Sequence, residues 1–142
     1  MKALLAVGLS NEEMGSLGGL LTGGGWNIRT AGGWTQVFLR LREGPYRAVI
    51  CQSILPDGDW RDVLDELRLC SSPPPLIVTC RLADASLWAE VLDAGGFDVL
   101  PSPFEASELI RTLERAGSRT KAPKAWEPPA LVSADSFCSD DS

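Results

Sequence analysis

Residues 48–59 read Ala48-Val49-Ile50-Cys51-Gln52-Ser53-Ile54-Leu55-Pro56-Asp57-Gly58-Asp59. The unbroken apolar run at its start suits a strand covered on both faces, as in a parallel sheet, since a strand with one wet face would alternate. Pro56-Asp57-Gly58 is turn chemistry, and Asp59 immediately before Trp60 has the character of a helix N-cap. The stretch therefore predicts a buried strand, a turn and the start of a helix.

Working outward, similar short apolar runs stand at Ala3 to Val7, Trp26 to Thr30, Leu76 to Val78 and Phe97 to Leu100. Between them lie longer segments with apolar residues at helical spacing: Asn11 to Leu21, Trp34 to Arg42, Trp60 to Leu69, Ala85 to Ala94 and Glu105 to Ala116. Val63, Leu64 and Leu67 illustrate the spacing, as do Leu109, Ile110 and Leu113. Strand and helix alternating in this way predict stacked βαβ units with right-handed crossovers, hence a doubly wound α/β fold with helices on both sheet faces. The first helix is the weak one, because Gly15, Gly18 and Gly19 each cost about 1 kcal/mol relative to alanine inside a helix.

The chain has 142 residues, 44% hydrophobic and 23% charged, within the range of one packed domain. Thirteen basic against nineteen acidic side chains give a net charge of −6. Residues 1–116 alone carry ten basic and fifteen acidic side chains, so most of the negative charge belongs to the folded surface and disfavours nucleic acid as a partner. Histidine is absent, which removes Ser-His-Asp and Cys-His catalysis and any imidazole metal site. Cys51, Cys70, Cys80 and Cys138 show no C-x-x-C spacing, and the reading is of free thiols in a reducing cytoplasm. Met1 to Leu9 fits a signal peptide poorly, and no run approaches the ~18 apolar residues of a membrane span. After Gly117 the composition shifts to Lys, Pro, Ser and Asp, so residues 117–142 are expected to form a flexible tail behind a domain spanning 1–116.

The opening stretch, followed by Leu76-Ile77-Val78-Thr79 and by Asp93-Ala94-Gly95-Gly96-Phe97-Asp98-Val99-Leu100-Pro101-Ser102-Pro103-Phe104, resembles the response-regulator receiver family in order and spacing. The resemblance covers Met1 to about Ala116. It implies a flavodoxin-like (CheY-like) three-layer fold: a five-stranded parallel sheet of order 2-1-3-4-5 with five helices, and a cis peptide at Ser102-Pro103. It also implies a site at the carboxyl ends of the strands, where doubly wound sheets place their sites. In the family, carboxylates there bind Mg²⁺, one of them attacks phosphorus, and a lysine and a hydroxyl receive the phosphoryl oxygens.

Position by position, this chain departs from that pattern. The acidic pair after the first strand is replaced by Gly8 and Leu9, the phospho-accepting aspartate by Gln52, the lysine by Ser102 and the aromatic switch by Val99. Only Thr79 matches, at the switch-threonine position. A neutral amide cannot form an acyl phosphate, and the loss of both metal carboxylates, the nucleophile and the cation leaves no charge to hold Mg²⁺ or phosphate. The expectation is an atypical pseudo-receiver without cofactor, not an enzyme, in two-component or phosphorelay signal transduction.

Two other readings stand beside it. Asp57 or Asp59 could serve as an unorthodox acceptor in a phosphorelay regulator. Gly23-Gly24-Gly25 or Gly32-Gly33 could cradle a small ligand in a flavodoxin-like binding domain, although neither is followed by the Lys and Ser/Thr of a P-loop. For the pseudo-receiver, the expected partners are other signalling proteins, a kinase or an output protein or a second copy of the chain, and neither nucleic acid nor membrane. Trp88, on the fourth helix, is the candidate partner contact, since tryptophan is enriched at binding hot spots. Trp34 and Trp60 are read as plugs of the sheet ends; Trp126 is expected to lie in an inert tail, with a docking role as the alternative.

Overall fold

The computed structural model describes residues 2–82 and 84–118. The expected tail, with Trp126 and Cys138, lies outside the described residues, apart from the end of the last helix.

Five parallel strands form the sheet: β1 (Lys2–Val7), β2 (Trp26–Ala31), β3 (Ala48–Gln52), β4 (Leu76–Cys80) and β5 (Asp98–Pro101), in the order β2-β1-β3-β4-β5. The helices are α1 (Asn11–Leu20), α2 (Val37–Leu41), α3 (Trp60–Leu67), α4 (Ala85–Ala94) and α5 (Ala106–Ser118). A small antiparallel hairpin, Ile54–Leu55 with Gly58–Asp59, stands apart from the sheet. This is the flavodoxin-like arrangement.

Alternation along each strand sorts the core into two layers. Leu5, Val7, Val49, Cys51 and Val78 pack with Val37, Val63, Leu67 and Val91 from α2, α3 and α4. On the opposite face, Leu4, Ala6, Ile50, Ile77 and Leu100 pack with Leu17, Leu109 and Leu113 from α1 and α5. β1 and β3 are buried along most of their length because both their neighbours and both their faces are covered, whereas β2, at the edge, is largely exposed.

Local chemistry sets the helix ends. Asp59 caps α3, its Oδ1 accepting from Arg61 N at 2.9 Å, and Asp62 returns the bond to Asp59 N at 3.1 Å. Asp84 caps α4 by accepting from Leu87 N at 2.8 Å, and Gly95, at φ 109°, ends that helix in the left-handed conformation. Arg115 on α5 bonds the buried Asp98 at 2.7 Å and ties the last helix to β5. The Ser102-Pro103 peptide is cis.

The second helix departs from expectation. It opens as a 3₁₀ turn, Trp34–Gln36, and its α-helical part is only Val37–Leu41. The cause is Asp57. Its carboxylate accepts the N–H of Trp34 at 3.1 Å, the N–H of Thr35 at 3.2 Å and the Thr35 hydroxyl at 2.8 Å, while the Trp34 indole donates to the Asp57 carbonyl at 2.7 Å. That anchor pins the first turn against the hairpin. Trp60 is buried in the core as a plug, and Trp34 packs partly against the same cluster.

Leu5→Ala, at a fully buried position in the central part of the sheet, is expected to lower unfolding free energy by about 2–5 kcal/mol in urea titrations. Leu39→Ala, at a side chain 57% exposed on α2, is expected to change it by no more than about 0.5 kcal/mol.

Candidate functional site

At the carboxyl edge of the sheet, β3 ends on Gln52, β4 on Thr79 and Cys80, and β5 runs out to Pro101 and Ser102. The period-2 rule carries Gln52, Thr79 and Ser102 to the face covered by α1 and α5, in line with Ile50, Ile77 and Leu100. Gln52 and Thr79 are register partners across β3 and β4. α1 begins directly above this edge. Its N-cap Ser10 forms a capping box with Glu13: Glu13 N donates to Ser10 Oγ at 3.1 Å, and Ser10 N donates to Glu13 Oε1 at 2.9 Å.

That box turns the Glu13 side chain inward. Only 8% exposed, its carboxylate accepts from Gln52 Nε2 at 2.6 Å on Oε1 and 2.7 Å on Oε2, and from Ser102 Oγ at 2.7 Å on Oε2. One carboxylate thus joins three parts of the chain: the first turn of α1, the end of β3 and the residue after β5. Burial acts to raise the Glu13 pKa, but the hydrogen bonds from the Ser10 backbone, Ser102 and Gln52 outweigh it and hold the acid below its ordinary value of 4.5. Its place in the first helical turn favours the charged form further.

Thr79 is fully buried, and its hydroxyl has no hydrogen-bond partner among the described residues. Gly8 has φ 72°, and a Cβ there would run into the side chain of Leu55, from the hairpin. Leu55 therefore fills the space in which a side chain at position 8 would stand. Leu9 is half-buried against the α1 and α5 layer. Cys51 faces the opposite layer, where burial pushes its thiol far up.

No family model matches the chain. Over 120 residues, 32% of positions are identical to the transcriptional regulatory protein KdpE of Mycobacterium tuberculosis H37Rv, an alignment covering 84% of this chain and 52% of that one. Among solved structures, the beryllofluoride-activated NtrC4 receiver domain dimer matches with a TM-score of 0.75 and 21% identity over 84% of this chain and 98% of that one. The receiver domain of the sensor histidine kinase PA1611 from Pseudomonas aeruginosa PAO1, with magnesium coordinated in its active-site cleft, gives 0.71 and 23% over 82% and 98%. The described residues have the fold of a response-regulator receiver domain. The chain spans about half the length of KdpE and about a quarter (26%) of the transcriptional regulatory protein ZraR of Escherichia coli K12, another curated relative that it matches.

The site differs from the sequence-based expectation in one respect: it does contain a negative oxygen pair, that of Glu13. The signal was legible as Ser10-x-x-Glu13 ahead of an apolar run, a capping box. Such boxes usually sit on the surface, and only the placement of α1 over the sheet edge makes this one part of the site. The donor set still does not fit Mg²⁺, which takes near-octahedral oxygen ligands with carboxylates among them. Position 8 has no side chain and no room for one, position 9 is apolar, and both Glu13 oxygens already accept hydrogen bonds.

Both alternative acceptors are engaged in local structure. Asp57 is engaged in pinning the 3₁₀ turn; burial acts to raise its pKa, but the Thr35 hydroxyl and the Thr35 and Trp34 amides bring it below the ordinary value. Asp59 is the α3 cap. The glycine pairs are also accounted for: Gly23 and Gly25, at φ 84° and 77°, close the turn into β2, and Gly33 lies against the Asp57 carboxylate, where an anion would be repelled. Trp88 is half-buried on α4 and packs against the core.

Glu13→Gln is expected to cost about 1–3 kcal/mol at neutral pH, because a charged acceptor facing three donor groups becomes neutral. Since the folded-state pKa is lowered, the stability from Glu13 is present above pH 4.5 and is lost as pH falls below it. The gap between wild type and variant, read from thermal melts, should therefore close in acid. Gln52→Glu should do the reverse: two carboxylates at hydrogen-bond distance destabilise the fold at pH 7, and the variant recovers relative to wild type as one of them protonates at a pH above the ordinary carboxylate value.

Proposed function

We propose that this receiver domain is a pseudo-receiver, a signalling module that is not phosphorylated and acts through protein contact. The observation that carries the reading is the Glu13 carboxylate bonded to Gln52 and Ser102. The residue in the phospho-acceptor position is an amide that cannot form an acyl phosphate. The residue in the lysine position is a hydroxyl already donated to a carboxylate. An incoming phosphoryl group would meet a fixed negative charge instead of a cation, so the site disfavours the dianion it would have to hold.

On this reading Mg²⁺ is not a cofactor and the domain is not an enzyme. What remains is a rigid α/β body with an acidic surface, which favours protein partners over nucleic acid. Those partners are other signalling proteins, a kinase or an output protein, and the NtrC4 receiver dimer makes a second copy of the chain a further partner of the same class. No helix among the described residues is long and apolar enough to cross a membrane, which agrees with the cytoplasmic location proposed for it.

Amide NMR spectra recorded with Mg²⁺ and beryllofluoride test the reading. Cross-peaks of Gly8, Gln52, Thr79 and Ser102 are expected to stay in place. Shifts centred on Gly8 and Gln52 that saturate with beryllofluoride would refute it.

A further inference from the structure

Three large apolar side chains among the described residues are conspicuously exposed: Ile54 at 74%, Leu69 at 75% and Leu82 at 82%. Two of them, Ile54 and Leu82, line one open cleft of about 440 Å³ between the loop after β3 and the loop after β4. The exposure of Ile54 follows from the hairpin. Leu55 points inward to fill the space beside Gly8, so alternation turns Ile54 out. Between the two side chains the wall is continued by Cys80, Trp60 and Leu87, an apolar floor under two apolar rims.

The charged part of the same cleft is unbalanced. Among the described residues, Asp59, Asp84 and Glu90 line it against a single cation, Arg61. Arg61 is stacked on the Trp60 ring at 4.5 Å and bonded to Glu90 at 3.2 Å and Asp59 at 3.6 Å, so it is committed within the cleft. Arg81 precedes Leu82 but does not line the cleft.

We infer that this cleft is the docking site for a protein segment that presents an apolar side chain with a lysine or arginine beside it. The apolar side chain would sit between Ile54 and Leu82, and the cation would face Asp84 and Glu90. Desolvated apolar anchors at the centre of a patch supply most of an interface's affinity, and complementary charge fixes its register. A second copy of this chain is the poorer occupant, because its net charge of −6 opposes an acidic rim. The inference rests on the reading of the domain as a protein-contact module and assigns that contact to the cleft.

Random peptides displayed on phage, selected against the full chain, test it. The enriched sequences are expected to pair an apolar residue with lysine or arginine. They should bind the Ile54→Ser/Leu82→Ser double variant about tenfold or more weakly, and the Leu69→Ser variant as tightly as wild type. Both positions are exposed, and unchanged thermal melts verify that the variants fold. Acidic binders, binders indifferent to the double variant, or a dimer in light scattering that the double variant dissociates would each overturn the inference. Uptake of beryllofluoride at Gly8 and Gln52 would instead sink the silent-site reading without touching these results.

Discussion

A buried carboxylate must be satisfied or neutralised, and in this domain Glu13 is satisfied by three elements at once. The Ser10 backbone, the Gln52 amide and the Ser102 hydroxyl all donate to it. The cost of withdrawing the charge from water is offset only while those donors stay in place, so the bond network fixes the N-terminus of α1 over the ends of β3 and β5. The amide of Gln52 is suited to this role in a way an aspartate is not. A carboxylate at position 52 would face Glu13 as a like charge, whereas an amide supplies two N–H donors on one nitrogen. An amide at position 52 thus makes the internal bond feasible.

The remaining departures fit the same constraint. Position 8 carries no side chain, and the backbone there turns through a positive φ while Leu55 closes over it. Asp57 and Asp59, the acids nearest to Gln52 in sequence, are spent on the 3₁₀ turn and on the α3 cap. The edge is held by packing at one side and by hydrogen bonds at the other, and the outward-facing Ile54 is a by-product of the hairpin that carries Leu55 inward.

Much of the fold was legible because its signals are local. Apolar runs marked all five strands, and Val63, Leu64 and Leu67 marked the inner side of α3. The Asp59 cap was readable from its place before Trp60. What escaped was set by tertiary placement. Asp57 shortens α2 from more than twenty residues away in sequence, and the two-residue strands of the hairpin are too short to show alternation. Glu13 was visible as half of a capping box, but nothing in the residues around it says that the box faces the sheet. The site was therefore expected to be too poor in negative oxygens to hold a cation, and Glu13 was not foreseen as its organising group.

The most direct measurement is a double-mutant cycle on Glu13→Ala and Gln52→Ala, with unfolding free energies taken at neutral pH. If the bond between these side chains holds the site shut, the cycle should give a coupling of about 1.5–3 kcal/mol, the range for hydrogen bonds to charged groups. Additivity within about 0.5 kcal/mol would contradict the account, because the two residues would then be neighbours without being partners.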